Sequence, residues 1–322
     1  MIDKDCINLG LENIWRSWLN YRKGKKVSRE LLKFQYNLES EIIKLHADLN
    51  SGRYKHGGYR NFIICDNKRR KISVAPIRDR VIHRLIYDYL VAIYDKTFIY
   101  DAWSCRKGKG LIGAIDRTQQ FLKSFPDSYV WQVDIRRFFD HVDHEILINI
   151  LWRRIEDERA RHILKEVIAS FESQPGKQAG MPIGNLTSQI FANIYLNELD
   201  RFIKHKIKPL RYLRYGDDFI VIDRNFIKLR TVQRTTIEFL PRKLKLKVNP
   251  QKNHIQKAEQ GLNFLGVATY RTGRALNKRN RLRMRRNLTV KNITSYYGLI
   301  KQHENQKKMK EFSWRLVEKL NN

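Results

Sequence analysis

Asp217 and Asp218 stand side by side in the run Arg214-Tyr215-Gly216-Asp217-Asp218-Phe219-Ile220-Val221-Ile222. Two adjacent carboxylates at a tight turn repel each other, and a cation removes that cost. Hard divalent cations such as Mg²⁺ prefer carboxylate oxygens. A third acid, Asp134, closes the apolar run Val130-Trp131-Gln132-Val133. If the strands carrying these acids pair, three carboxylates face one point. That set suffices for two Mg²⁺ ions, with Mn²⁺ as the alternative, clamping an in-line phosphoryl displacement. One ion would lower the pKa of an attacking hydroxyl and the other would stabilise a leaving pyrophosphate. Taken alone, the Asp-Asp pair reads more simply as an acidic turn. The flanking strands and Asp134 favour the metal site.

The elements that must position these acids are legible around them. Residues 212–215 and 219–222 are rich in aromatic and β-branched side chains, and the polar break between them reads as a hairpin turn. Residues 129–135 read as a strand. A long amphipathic helix is expected over 185–202, with Leu186, Ile190, Ile194 and Leu199 on one side. Upstream, Leu31, Phe34, Leu38, Ile42, Leu45 and Leu49 recur at helical spacing behind Ser28, a capping residue, and the glycines Gly52, Gly57 and Gly58 end that pattern. Residues 62–65, a turn at Asp66-Asn67 and residues 70–74 follow as a basic hairpin, then a helix over 80–94. Downstream come a helix near 226–244, a strand over 263–270 and a basic helical tail. The order strand, helix, hairpin, helix, strand predicts an α+β chain with a split βαβ core and antiparallel pairing.

Composition bounds the partners. The chain has 322 residues, 42% of them hydrophobic, enough for a substantial core of interlocked subdomains. Sixty-four Lys and Arg against 33 acids give a net charge of +31. A field of that sign attracts polyanions and gives salt-sensitive nucleic-acid binding, with a membrane surface the weaker alternative. Residues 271–322 carry fifteen Lys or Arg against three acids, a net of +12. Within them Lys278, Arg279, Arg281, Arg283, Arg285 and Arg286 interleave with Leu282 and Met284, a run that reads as a solvated helix face or, as its density favours, a phosphate track. The three cysteines, Cys6, Cys65 and Cys105, are scattered, which excludes a disulfide framework or a zinc ligand set and suits a reducing compartment. The first five residues lack the basic and apolar regions of a signal peptide, and no run approaches the ~20 apolar residues of a membrane span. A cytoplasmic protein is expected.

Three blocks, VDIRRFFDHVDH (Val133 to His144), GMPIGNLTSQIFANIYLNELD (Gly180 to Asp200) and RYGDDFIVI, resemble successive motifs of reverse transcriptases. VNPQKN (Val248 to Asn253) and NFLG (Asn263 to Gly266) resemble the motifs that close the palm. RRKISVAPIRDRVIH (Arg69 to His83) and YDAWSCRKGKG (Tyr100 to Gly110) resemble the fingers blocks. The likeness runs over about residues 10 to 300 in the family's order. It implies a right-hand polymerase: an N-terminal helical extension (1–55), fingers (56–128), a palm (129–270, with a fingers insertion at about 150–180) and a basic helical thumb (271–322). Many reverse transcriptases carry Gln-Gly followed by Ser-Pro in the second block. Here Ile183-Gly184 and Ser188-Gln189 stand instead, which looks like the enzymes of diversity-generating retroelements, copying RNA with errors opposite adenine.

The resemblance also implies roles. Asp134, Asp217 and Asp218 match the metal-binding acids, and Ile135 would add a backbone carbonyl. Phe139, five residues after Asp134, matches the gate that excludes a 2′-hydroxyl and so selects deoxynucleotides. Arg70 matches a fingers arginine over the triphosphate, and Lys252 a lysine near the leaving phosphate. Ile183, Gly184 and Gln189 would border the nucleotide, and Phe264-Leu265-Gly266 would form the turn that grips the primer end. His141 and His144, at metal-ligand spacing on a helix, suit surface or capping roles better. Tyr296-Tyr297 could stack on a base, although packing into the thumb is the simpler reading. The expected partners are a template RNA, its RNA/cDNA duplex and a small basic helical accessory protein, with no membrane. Group II intron or retron enzymes, an RNA-dependent RNA polymerase and a noncatalytic RNA-binding scaffold remain the alternatives.

Overall fold

The computed structural model describes residues 6–65, 69–289 and 292–321; the turn expected at Asp66-Asn67 lies outside them. The chain opens on α1 (Leu11–Arg22), α2 (Arg29–Tyr36) and α3 (Leu38–Asn50). The single periodic run expected from Leu31 to Leu49 is two helices, because Asn37 leaves helical geometry and ends one while starting the next. Ser28 caps α2 as its type predicts, accepting from the Leu31 amide at 3.2 Å. An antiparallel hairpin follows, β1 (Arg60–Cys65) against β2 (Arg69–Val74), then α4 (Ile77–Tyr94) and α5 (Leu111–Ser124).

The centre of the molecule is a four-stranded antiparallel sheet. In chain order it takes β3 (Tyr129–Ile135), then α6 (Phe138–His141), α7 (His144–Trp152), α8 (Glu158–Ala169) and α9 (Leu186–Arg201) intervene. The hairpin β4 (Arg211–Tyr215) and β5 (Asp218–Asp223), the helix α10 (Phe226–Leu244) and β6 (Val248–Lys257) complete it. The spatial order is β4-β5-β3-β6, so β3 lies between the hairpin and the last strand. This is the split arrangement the element order predicts. Its strands are buried apolar runs: Val130, Trp131, Val133, Phe219, Ile220 and Val221 are each at most 1% exposed. Burying one such side chain stabilises by about 1.5–3 kcal/mol before chain entropy is charged against it.

Helix α9 departs from the amphipathic reading. Twelve of its sixteen residues are buried, among them the polar Asn193, Asn197 and Asp200. Little of it is left to solvent, since α4 and α7 both pack against it.

The strand expected over 263–270 is a hairpin, β7 (Leu262–Phe264) and β8 (Val267–Thr269), joined by β9 (Arg274–Leu276) into a small separate sheet. Leu265 and Gly266 turn the chain with φ of 53° and 86°, conformations that no strand contains. The basic tail is helical, as α11 (Lys278–Asn287), α12 (Ile293–His303) and α13 (Gln306–Asn321). In α12, Tyr296 packs into a small cluster around Leu276, Leu288, Ile300 and Phe312, whereas Tyr297 is exposed. The two histidines do not share a helix. His141 ends α6, and His144 begins α7, buried with Nε2 at 2.8 Å from the Gly180 carbonyl. No helix among the described residues is long and apolar enough to cross a membrane.

Candidate active site

Strand pairing brings the three acids together. Asp134 sits opposite Asp218 in the β3–β5 ladder, and the Ile135 amide donates to the Asp217 carbonyl at 3.2 Å. Gly216 and Asp217 form the two-residue turn, with φ of 63° at Gly216, a value that glycine adopts without steric cost. Both acids were expected at the tip of this hairpin. Only Asp217 is there, and Asp218 is the first residue of β5. On the other side of β3 the register with β6 shifts between Val133 and Ile135, which leaves Asp134 unpaired in that ladder. A bulge of this kind re-aims a side chain. Each of the three carboxylates offers an oxygen, and these atoms lie within 4.8 Å of one another.

The electrostatics of the cluster follow from crowding. Burial raises the Asp217 carboxyl above its usual range, and Asp134 raises it further. Asp218 is pushed up to about 7, by burial first; Lys252 acts against the shift, and Asp217 and Asp134 add to it. The Lys252 ammonium stands 3.2 Å from Asp134 and 3.4 Å from Asp218. Burial opposes its charge, but the two acids outweigh this and hold its pKa above the ordinary value. A second cation beside three acids of one sign would be favoured for the same reason. The donors are all carboxylate oxygens, which fits a hard divalent ion such as Mg²⁺ and does not suit a soft one.

A cavity of about 820 Å³ opens over the cluster. Its walls carry Arg70, Ile135, Phe139, Ile183 and Lys252 together with the three acids, although these residues come from five separate stretches of chain. Phe139 is half-buried, its ring edge-on to Phe138 at 5.4 Å, and its carbonyl accepts from the Met181 amide at 2.7 Å. The loop before α9 is tied to β2: the Ser73 amide donates to the Ile183 carbonyl at 3.1 Å, and Asn185 Nδ2 donates to the Ser73 carbonyl at 2.7 Å. Gly184 permits this approach. Its φ is 115°, and a Cβ there would fall 2.8 Å from Ile72 Cγ2. Gly184 therefore acts through its backbone and does not line the cavity. Gln189 is exposed on the first turn of α9, also outside the cavity wall.

Several site residues carried no role in the sequence reading. Asn249 Nδ2 donates to Asp134 Oδ2 at 2.9 Å, and Arg136 and Arg137 line the cavity, where Asp140 and, from the basic run, Arg279 join them. Asn249 lies in the VNPQKN block, so position in the motif was the available signal. Beneath the hairpin, Arg214 and Asp200 are 1% and 0% exposed and form a two-pronged pair, Nε to Oδ1 at 2.7 Å and Nη2 to Oδ2 at 2.6 Å. Arg214 Nη1 also donates to the Gly216 carbonyl at 3.1 Å, so the pair holds the turn that carries Asp217. Both residues stand in blocks already singled out, but nothing in their types says that they meet.

Comparison with known proteins agrees with this geometry. The model of the family described as reverse transcriptase (RNA-dependent DNA polymerase) matches residues 55–269. Protein YkfC of Escherichia coli is 24% identical over 281 residues, covering 74% of this chain and 73% of that protein. The group II intron-encoded protein LtrA of Lactococcus lactis is 22% identical over 299 residues, covering 71% of this chain and 49% of its own length. In fold, the chain resembles telomerase from Candida albicans, solved with a fragment of telomeric RNA, at a TM-score of 0.53 and 12% identity over 81% of this chain and 54% of that one. It thus spans about half the length of LtrA and of the solved telomerase. The shared architecture is the right-hand polymerase fold.

Proposed function

This chain belongs to the reverse transcriptase family, and from that premise we propose that it is an RNA-directed DNA polymerase that extends a 3′-hydroxyl primer with deoxynucleotides. The observation that carries the proposal is the single cavity in which Asp134, Asp217 and Asp218 lie beside Phe139, Arg70 and Lys252. The primer oxygen forms a bond to the α-phosphorus of the nucleotide, its proton leaves, and the bond to pyrophosphate breaks. Asp134, Asp217 and Asp218 would hold Mg²⁺, with the Ile135 carbonyl as a further ligand. Two such ions, when bound, supply activation of the hydroxyl and charge neutralisation of the pyrophosphate. Lys252, protonated between two of the acids, is placed to hold charge on the leaving group and to return a proton to it. Residues 1–55, 56–128, 129–270 and 271–322 serve as extension, fingers, palm and thumb, and the basic thumb tracks the phosphates of the RNA/cDNA duplex. A small basic helical accessory protein and a cytoplasmic site of action complete the reading.

Sugar choice tests the proposal. Purified protein with an RNA template, a DNA primer and Mg²⁺ is expected to use dNTPs in preference to rNTPs. Phe139→Ala removes the ring at the gate position and is expected to raise the relative use of rNTPs by about tenfold or more, the range of one lost steric and desolvation barrier of roughly 1–3 kcal/mol. A wild-type preference for rNTPs would instead identify an RNA polymerase.

Ile183 carries the finer reading, that the enzyme copies adenines inaccurately as in a diversity-generating retroelement. The isoleucine side chain offers no hydrogen bond where the resemblance to other reverse transcriptases leads one to expect glutamine, and one neutral bond contributes about 0.5–1.5 kcal/mol. Ile183→Gln is therefore expected to lower misincorporation opposite template adenine by a few-fold to about tenfold, read by sequencing the cDNA. An adenine error rate that the substitution leaves untouched overturns the assignment. The likeness to LtrA favours a second reading, a group II intron-type enzyme, for which wild-type errors would show no excess at adenine.

A further inference from the structure

Five cations line the cavity, Arg70, Arg136, Arg137, Lys252 and Arg279, against the four carboxylates of Asp134, Asp140, Asp217 and Asp218. Lys252 is already engaged with two of those acids. Arg137 stands apart for a different reason. Its backbone is left-handed, φ 45° and ψ 49°, a region that long L side chains seldom enter. Such a conformation persists only where surrounding contacts enforce it, and it concentrates at functional sites. The enforcing contacts are visible. The Arg137 carbonyl accepts from the Asp140 amide at 3.0 Å and stands 2.9 Å from His141 Nδ1. Before it, the Arg136 amide donates to the Lys247 carbonyl at 2.8 Å; after it, Phe138 is buried at 2% exposure. The chain is thus pinned on both sides of one arginine. That arginine is exposed, lines the cavity beside the acid cluster, and makes no ion pair among the described residues.

We infer that Arg137 is a phosphate-binding residue that grips the β- and γ-phosphates of the incoming nucleotide and then the pyrophosphate released from it. The inference rests on the polymerase reading. A guanidinium presents its donors as a planar fork that matches two phosphate oxygens, which an ammonium such as Lys252 cannot do. A strained but fixed backbone leaves less freedom to be lost when the phosphate binds. With Arg70 from β2, Arg137 would hold the triphosphate from a second side, clear of the three carboxylates.

The test uses three substitutions in the full chain. Arg137→Gly accepts the left-handed backbone and removes the side chain, Arg137→Lys keeps the charge without the fork, and Arg137→Ala removes the side chain and disfavours the backbone. In single-nucleotide incorporation, Arg137→Gly is expected to raise the KM for dNTP by roughly tenfold to a hundredfold, the range for charge-assisted hydrogen bonds, with a smaller change in kcat. Binding of inorganic pyrophosphate in Mg²⁺ buffer, measured by calorimetry, should weaken to a similar degree. Arg137→Lys should recover part of both, and the Kd for primer–template should stay near that of the wild type. The inference is overturned if Arg137→Gly binds dNTP and pyrophosphate as the wild type does. It is equally overturned if the loss appears only in primer–template binding, which would place the arginine on the nucleic-acid backbone. Impairment of Arg137→Ala beside a normal Arg137→Gly would show that the backbone alone matters. A wild-type protein that incorporates no nucleotide yet loses pyrophosphate binding with Arg137→Gly would sink the polymerase reading and leave this site standing.

Discussion

Asp217→Asn and Asp218→Asn are each expected to lower the rate of nucleotide incorporation by at least about a thousandfold, a loss of roughly 4 kcal/mol of transition-state stabilisation. Asparagine keeps the size of the side chain and removes the charge that would hold the metal. The same substitutions are expected to leave the fold intact, and in metal-free buffer to stabilise it. Burial and neighbouring acids already push both carboxyls up, Asp218 to about 7, so the charged forms are strained in the metal-free protein. A neutral amide removes that repulsion. Rate and stability therefore move in opposite directions, the pattern of a site held together for function. Incorporation kinetics and thermal melting on the same samples check both halves. Activity within tenfold of the wild type would remove these acids from the chemistry and favour the noncatalytic RNA-binding scaffold.

Breaking the pair beneath the hairpin is expected to cost about 3–5 kcal/mol of stability, because one partner leaves the other as an uncompensated buried charge. Asp200 accepts from Arg214 through both oxygens and from the Tyr212 hydroxyl at 2.7 Å, and Arg214 reaches Asn193 at 3.2 Å. Burial opposes the guanidinium charge, but Asp200 outweighs it and holds the pKa above its ordinary value. Asp200→Leu and Arg214→Met should each produce the full loss in urea unfolding. The double substitution should lose less than either, since it removes both charges at once. Additive losses would show that the two residues do not act as a pair. The double variant separates folding from positioning: Gly216 loses its Arg214 partner, so incorporation should remain impaired even where stability returns.

Much of the candidate site was legible because its acids fall in short runs that adjoin apolar strands. Asp134, Asp217 and Asp218 were identifiable from carboxylates adjoining apolar strands, and the ladder places Asp134 opposite Asp218 as that reading requires. Phe139, Ile183, Arg70 and Lys252 all reached the same cavity. Gly184 and Gln189 did not, because a motif preserves order along the chain without saying which side of a loop faces the ligand. The reading failed where structure depends on backbone angles or on distant partners. The turn at Leu265-Gly266 broke a strand that composition favoured, and Asn37 broke a helix that periodicity favoured.

What the amino-acid sequence determined by itself is the set of elements, the acids they carry and the charge that favours nucleic acid. Periodicity, side-chain type and net charge are local or additive, and they survive without coordinates. Only the tertiary structure decided that Arg214 meets Asp200, that Asn249 holds Asp134 and that Arg137 is bent into the cavity. A buried pair is stable only because groups far apart in the chain meet there, and the left-handed Arg137 follows a residue tied to the distant Lys247 carbonyl. Such a cause is therefore absent from any single stretch of sequence.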